Sequence, residues 1–294
     1  MAVSLKKLKA VSTSTRTMKI VVASGKGGTG KTSVAINLAL SVGASQILDC
    51  DVEEPNVHIF LGGTEEEFSP VELLVPEINE NKCTYCGKCS AFCQYNALFV
   101  VGDTAMVFPE LCHSCGGCSI VCPEGAITEK PRKIGSLHKV MNGEMEVVYG
   151  NLNVGEPMAV PMIAAVKEQA KSEGLVILDA PPGSACPVVE SVSEADFCLM
   201  VTEPTPFGLH DLEVATEVVK ILGVPMGVVV NFAGIGDQGV YNFCKEHELP
   251  ILMEIPYDRR IAELYSRGIP FTVEMKEWET KFKTLLKEME AMIR

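Results

Sequence analysis

The sequence predicts an α/β fold: a mostly parallel, doubly wound P-loop sheet carrying a small inserted α+β domain. Three observations carry that prediction. Short apolar runs without alternation recur along the chain, separated by segments of helical periodicity, as expected of strands buried on both faces of a parallel sheet. The first of these runs leads into a glycine-rich turn and then a helix. Eight of the twelve cysteines fall within forty residues, in a stretch where the strand–helix alternation stops.

In chain order, Met18–Ser24 is the first predicted strand, and Lys31–Val42 a helix with Val34, Ile36, Leu38, Ala39 and Leu40 at helical spacing. Further strands are expected at Gln46–Cys50, Leu175–Asp179, Phe197–Val201, Gly227–Asn231 and Ile251–Ile255. Helices are expected at Pro161–Lys171, Leu209–Leu222 and Tyr241–Glu248, and a hairpin beside the sheet at His138–Tyr149, turning at Asn142-Gly143. Trp278, Phe282, Leu285, Leu286, Met289 and Ile293 mark a last helix. From Lys276 onward five basic and four acidic residues balance, which suits packing on the sheet better than a basic membrane anchor. The domain plan is a tail over 1–17, a discontinuous α/β domain over 18–76 and 132–294, and an insert over 77–131, between Pro76 and Pro131.

Composition narrows the function. A chain of 294 residues, 47% apolar and only 6% aromatic, suits an α/β core rich in aliphatic side chains. The net charge of −13 argues against nucleic acid or anionic lipid as the main partner. No apolar run approaches the length of about 18 residues that spans a bilayer. The first seventeen residues carry Lys6, Lys7, Lys9 and Arg16 without an apolar stretch or cleavage site, so a cytoplasmic location is expected and a secretory leader is not.

The glycine-rich turn is Gly25-Lys26-Gly27-Gly28-Thr29-Gly30-Lys31-Thr32. It matches G-x-x-x-x-G-K-T with a strand before and a helix after, the context that motif requires. Glycines let backbone N–H groups turn inward around phosphate oxygens, and the helix N-terminus adds its positive end. Lys31 is the expected partner of the β/γ-phosphates of ATP, and the Thr32 hydroxyl a ligand of Mg²⁺.

The second lysine of the turn, Lys26, gives G-K-G-G-T-G-K-T, which resembles the deviant P-loop ATPases, the MinD/ParA/Mrp group that includes the nitrogenase iron protein. The resemblance implies a nucleotide-dependent homodimer in which Lys26 reaches the partner's nucleotide. It implies that Asp51, in Asp49-Cys50-Asp51, orients or deprotonates the attacking water, with Asp49 only capping the strand end. In Leu175–Gly183 it implies that Asp179 holds Mg²⁺ through water while the Gly183 N–H faces the γ-phosphate. Asn231 then reads the adenine edge, and the segment around Pro256 walls the base.

The clustered cysteines form C-x₂-C-x₂-C-x₃-C twice: Cys83, Cys86, Cys89, Cys93, and again twenty-nine residues later Cys112, Cys115, Cys118, Cys122. The flanks repeat as well, YCGKCSAFCQYNAL against SCGGCSIVCPEGAI. Such a repeat is too short to bury a core, so the halves are expected to fold together around metal. Zinc is the competing reading, though four cysteines within eleven residues suit a tetrahedral ion poorly. The pattern resembles the two-cluster bacterial ferredoxins, in which the fourth cysteine of each run ligates the other cluster. That implies two 4Fe–4S clusters, one on Cys83, Cys86, Cys89 and Cys122 and one on Cys112, Cys115, Cys118 and Cys93. Gln94 departs from the family by standing where proline follows the fourth cysteine. Lys88 and His113 are expected to be exposed. Cys186, seven residues past Asp179, is expected to be a buried small side chain.

Together these features imply an ATP-binding and ATP-hydrolysing iron–sulfur protein that couples nucleotide state to electron transfer with an electron partner or client protein. The alternatives are an ATP-dependent iron–sulfur carrier or assembly factor, and a positioning switch ATPase in which the clusters are structure or sensor.

Overall fold

The computed structural model describes residues 17–293; the remainder of the predicted tail, residues 1–16, lies outside them. Among the described residues eleven strands and eleven α-helices, with a 3-10 turn at Pro109–Leu111, follow in chain order: β1 (Met18–Ala23), α1 (Lys31–Val42), β2 (Gln46–Asp49), α2 (Val57–Leu61), β3 (Thr64–Ile78), α3 (Lys88–Phe92), β4 (Leu98–Val101), β5 (Thr104–Val107), α4 (Gly117–Val121), β6 (Ile127–Asn142), β7 (Met145–Leu152), α5 (Val160–Lys167), β8 (Leu175–Asp179), α6 (Cys186–Val192), β9 (Phe197–Thr202), α7 (Pro206–Leu222), β10 (Met226–Ala233), α8 (Gly239–Glu246), β11 (Ile251–Pro256), α9 (Arg259–Ser266), α10 (Phe271–Glu274) and α11 (Glu277–Ile293).

Nine strands form one sheet in the order β11-β10-β9-β1-β8-β2-β7-β6-β3. From β11 to β7 all neighbours are parallel, while β6 and β3 join antiparallel at one edge. The parallel strands carry β-branched runs such as Ile20-Val21-Val22 because alternate side chains enter two different cores. Val21, Leu178, Met200 and Val228 face α5, α6, α7 and α8. Ile20, Val22, Ile177 and Val229 face α1, α2, α9, α10 and α11. In α11 the residues Trp278, Phe282, Leu285 and Met289 are buried in that second core, as their spacing predicts.

The His138–Tyr149 segment is a hairpin, and it belongs to the sheet itself, since β7 pairs with β2 along Glu146–Tyr149. Its first strand is far longer than the alternation suggests. β6 pairs with β3 from Thr64↔Met141 to Ile78↔Ile127, but with β7 only over Gly135–Asn142. The far half of β3/β6 therefore leaves the sheet as a two-stranded ribbon. Pro76 and Pro131, read from sequence as limits of an insert, stand inside this ribbon, where strand edges tolerate a residue without an N–H.

At the ribbon's end, where Asn79 N–H bonds Ala126 O (2.8 Å), the cysteine-rich segment begins. It holds α3, the β4/β5 hairpin and α4. Its backbone repeats with the sequence. Positive φ recurs at Tyr85 and Ser114 (52° and 54°), at Gly87 and Gly116 (72° and 69°), and at Asn96 and Gly125 (53° and 55°). Each pair is twenty-nine positions apart, and so are the starts of α3 and α4.

Candidate functional site

Two sites lie at opposite ends of the ribbon. The first occupies the carboxyl edge of the parallel sheet, where ligands bind in open α/β folds. There β1 runs directly into Gly25–Thr32, and Asp49 and Asp179 end the adjacent strands β2 and β8 in register. Gly28 and Gly30 turn with positive φ (81° and 89°). Close packing explains two of the glycines further. A Cβ on Gly25 would stand 2.3 Å from the Asp211 carbonyl oxygen of α7, and one on Gly30 would stand 2.3 Å from Asn231 Nδ2.

The structure brings the predicted polar residues together. Lys31, 7% exposed, donates to Asp179 Oδ1 at 2.9 Å, and the Thr32 hydroxyl donates to Asp179 Oδ2 at 2.6 Å. Burial is the largest influence on Lys31 and pulls its pKa down. Asp179, then Asp51 and Asp49, outweigh it and hold the ammonium above its usual value. Asp51 is pushed up to about 6, first by burial and then by Asp179 against the opposing pull of Lys31.

Asp49 has more to do than cap a strand. Its fully buried carboxylate accepts from the N–H groups of Asp51 (3.1 Å), Asn56 (2.9 Å) and Val57 (3.0 Å), so it anchors the start of α2. Burial, with Asp179 beside it, raises its pKa to about 7. The charges of three carboxylates thus act together on one lysine.

Two predicted contacts take a different form. Asn231 donates through Nδ2 to Thr29 O (2.8 Å) and accepts at Oδ1 from Phe232 N–H (2.9 Å), so its amide is bonded to the phosphate loop. The Gly183 N–H, expected to face the γ-phosphate, donates to Ser24 O at 3.0 Å. Pro256 lies exposed at the same sheet edge, its residue paired with Ala233. Lys26 is held within its own chain, its Nζ 2.6 Å from Glu203 Oε1. Glu203 was not singled out by sequence. The signal was available, because it follows β9 directly, at the edge where Asp49 and Asp179 end their strands.

The second site is the duplicated cysteine segment. All eight thiols are free. The thiols lie within one another's electrostatic reach. Cys89, whose pKa burial raises, feels Cys122 and Cys83, while Cys112, likewise raised by burial, feels Cys115 and Cys93. Cys118 is pushed up to about 11 by burial and then by Cys112. Backbone N–H groups already point at the fourth sulfur of each run: Ala97 N–H at Cys93 Sγ and Ala126 N–H at Cys122 Sγ, both 3.3 Å. Cys83, Cys86, Cys89 and Cys122 line one cavity of about 360 Å³, counting the solvent it opens onto. Among the described residues no three His, Cys, Asp or Glu side chains converge on a point as one ion demands. A cubane does not demand it, because each thiolate binds a different iron. The donor set and the N–H···S bonds fit such a group.

Of the other cysteines, Cys50, Cys198 and Cys244 are buried, with burial raising each thiol's pKa, Cys198 to about 12 and Cys244 to about 11. Cys186 departs from expectation and is exposed. It opens α6, whose inward face is made by Val188, Ser191 and Val192, and residue 186 lies off that face. Lys88 and His113 are exposed, as expected.

Comparison with known proteins supports the nucleotide-binding fold. The profile of the CobQ/CobB/MinD/ParA nucleotide binding domain matches residues 20–271. An uncharacterised protein of Methanocaldococcus jannaschii is 35% identical over 262 residues, covering 86% of this chain and 91% of that protein. The iron–sulfur cluster carrier protein of the same organism is 23% identical over 294 aligned positions, covering 92% and 83%. Among solved structures, the septum site-determining protein MinD with Mg-ADP from Pyrococcus horikoshii shares the fold, with a TM-score of 0.58, 18% identity, and 92% and 95% coverage.

Proposed function

We propose that this chain, which belongs to the CobQ/CobB/MinD/ParA nucleotide-binding family, hydrolyses ATP and uses nucleotide state to govern electron passage through two 4Fe–4S clusters held in a ferredoxin-like insert. The insert spans 77–131 and the ATPase domain 18–76 with 132–294. The observation that carries the reading is the β3/β6 ribbon, which extends from the nucleotide-binding sheet to the cysteine nests, its register shifting at Glu67/Ser69 and Val71/Glu72.

In this reading the Gly25–Thr32 N–H groups and Lys31 bind the phosphates of ATP. Thr32 and Asp179, hydrogen-bonded to each other at 2.6 Å, would hold Mg²⁺, which would offset the negative charge of the phosphates. Asp51, its pKa already lifted toward neutrality, accepts a proton from the attacking water. A rotation of the Gly183 peptide away from Ser24 O frees its N–H for the γ-phosphate. Lys26 leaves Glu203 and reaches the nucleotide of a second copy, adding positive charge where it builds up on the transferring phosphoryl group. Asp49, between the two switch carboxylates and the start of α2, passes the change to the segment that leads into β3.

At the other site Cys83, Cys86, Cys89 and Cys122 hold one cluster, and Cys112, Cys115, Cys118 and Cys93 the other. Bound there, the clusters supply one-electron chemistry at low potential. The chain's part is to space the thiolates, direct the Ala97 and Ala126 N–H groups at sulfur, and limit solvent. The test is anaerobic reconstitution, iron counting and spectroscopy with and without MgATP. About eight irons per chain are expected from two cubanes. Colourless protein overturns the reading.

A second reading, an ATP-dependent iron–sulfur carrier, is favoured by the similarity to a protein named an iron–sulfur cluster carrier. ATP-dependent transfer of cluster to an apo-protein, with iron lost from this chain in step, selects it over electron passage.

A further inference from the structure

We propose that the two cysteine nests are unequal: the nest of Cys83, Cys86, Cys89 and Cys122 is the outward one, exchanging with an external acceptor, and the nest of Cys112, Cys115, Cys118 and Cys93 is clasped shut by the Tyr95–His113 ring pair. This rests on the reading that both nests hold clusters and adds which of them faces the acceptor.

The backbone of the segment is a duplicate, so differences between the nests come from side chains at equivalent positions. Tyr95, two residues past Cys93, stacks on His113, next to Cys112, with ring centroids 3.6 Å apart and planes 11° from parallel. The pair ties together the two chain segments that supply the second nest. Twenty-nine positions away, the equivalents at the first nest are Glu124 and Thr84, which cannot stack.

Two more substitutions act in the same direction. Gly117 lets the start of α4 sit against Phe92, since a Cβ there would stand 2.2 Å from the ring. Its equivalent at α3 is Lys88, an exposed side chain on the rim of the first nest's cavity. Ser114 Oγ accepts the Leu74 N–H of β3 at 3.0 Å and so fastens the second nest to the ribbon. The equivalent Tyr85 lines the open cavity. Exposure follows in part: Cys112 and Cys118 are buried at 8% and 7% where their equivalents Cys83 and Cys89 are half-buried, while Cys115 is exposed like its equivalent Cys86. Iron leaves a nest only after an outside ligand reaches it, so the unclasped nest gives up iron first.

The experiment follows ferrous-chelator capture of iron from the anaerobically reconstituted full chain. Dithionite reduces the ferric ions, the chelator takes Fe²⁺, and the thiolates and sulfides are released to protons. Two phases are expected, each carrying half the iron. His113→Ala is expected to speed the slow phase by about tenfold and leave the fast phase unchanged. Thr84→His with Glu124→Tyr, which transplants the clasp, is expected to slow the fast phase. Iron-loaded protein that releases in one phase, or whose fast phase responds to His113→Ala, overturns this proposal alone. A chain that binds no iron overturns it together with the reading beneath it.

Discussion

Lys26 is tied to Glu203 of its own chain, Nζ to Oε1 at 2.6 Å, with the pair 30% and 18% exposed. Glu203 also accepts the Thr205 hydroxyl at 2.9 Å, and Thr205 caps α7 by accepting the Gly208 N–H. Lys26, proposed to reach a second copy's nucleotide, is thus held by the turn that starts α7, the helix against which Gly25 packs without room for a Cβ. In the proposed function, ATP-dependent pairing has to release it.

If so, Glu203→Gln favours the paired form. A partly exposed ion pair contributes about 1 kcal/mol, so the ATP-dependent dimer should tighten several-fold. Sedimentation equilibrium with a slowly hydrolysed ATP analogue reads this, and unchanged or weaker association counts against the latch.

Lys31→Ala should abolish ATP binding and also destabilise the nucleotide-free chain. Asp179 is fully buried, and removing its partner leaves a charge uncompensated, at a cost of about 3–5 kcal/mol. Adding Asp179→Asn should restore most of the thermal stability without restoring ATP binding. Calorimetry and nucleotide titration separate the two effects.

Asn231→Ala tests what the amide does. With Nδ2 on Thr29 O, its loss should loosen the phosphate loop and weaken ATP and GTP binding by a similar factor, about fivefold to tenfold for one buried hydrogen bond. Selective loss of ATP over GTP would return the residue to the base-reading role expected from sequence.

Stability should fall as pH rises through the acid-to-neutral range. Asp49 holds its proton to about pH 7 when folded and to about 3.8 when unfolded. Between those values the native state binds more protons, so its advantage shrinks with rising pH, by up to roughly 4 kcal/mol from this group. The nucleotide-free chain should melt higher at pH 5 than at pH 8. A melting temperature that rises over that interval contradicts the placement of Asp49.

Much of this was legible from residue order. The start and end of α1 and of β8 fall where apolar spacing and the Gly30–Thr32 turn put them, because long periodic segments and a strong motif leave little choice. β3 was not legible. Its Glu65, Glu66, Glu67, Pro70 and Pro76 are poor strand formers, and it exists because β6 pairs with it along an edge that charge and proline protect from further pairing. The phosphate-binding residues could be named from the motif, whereas the bonds that Asn231 and Gly183 make to the loop depend on tertiary placement. The exposure of Cys186 turned on which side of a short helix faces the core, and Val188 and Val192 decide that.

The central claim is that nucleotide state reaches the cysteine nests. Its most direct test is the midpoint potential of the reconstituted, reduced chain, measured by EPR-monitored titration with and without MgATP, and repeated on Lys31→Ala. The account predicts a nucleotide-dependent shift that Lys31→Ala abolishes while iron content stays the same. Identical potentials with and without MgATP in the unmodified chain, at full iron content and saturating nucleotide, would contradict it.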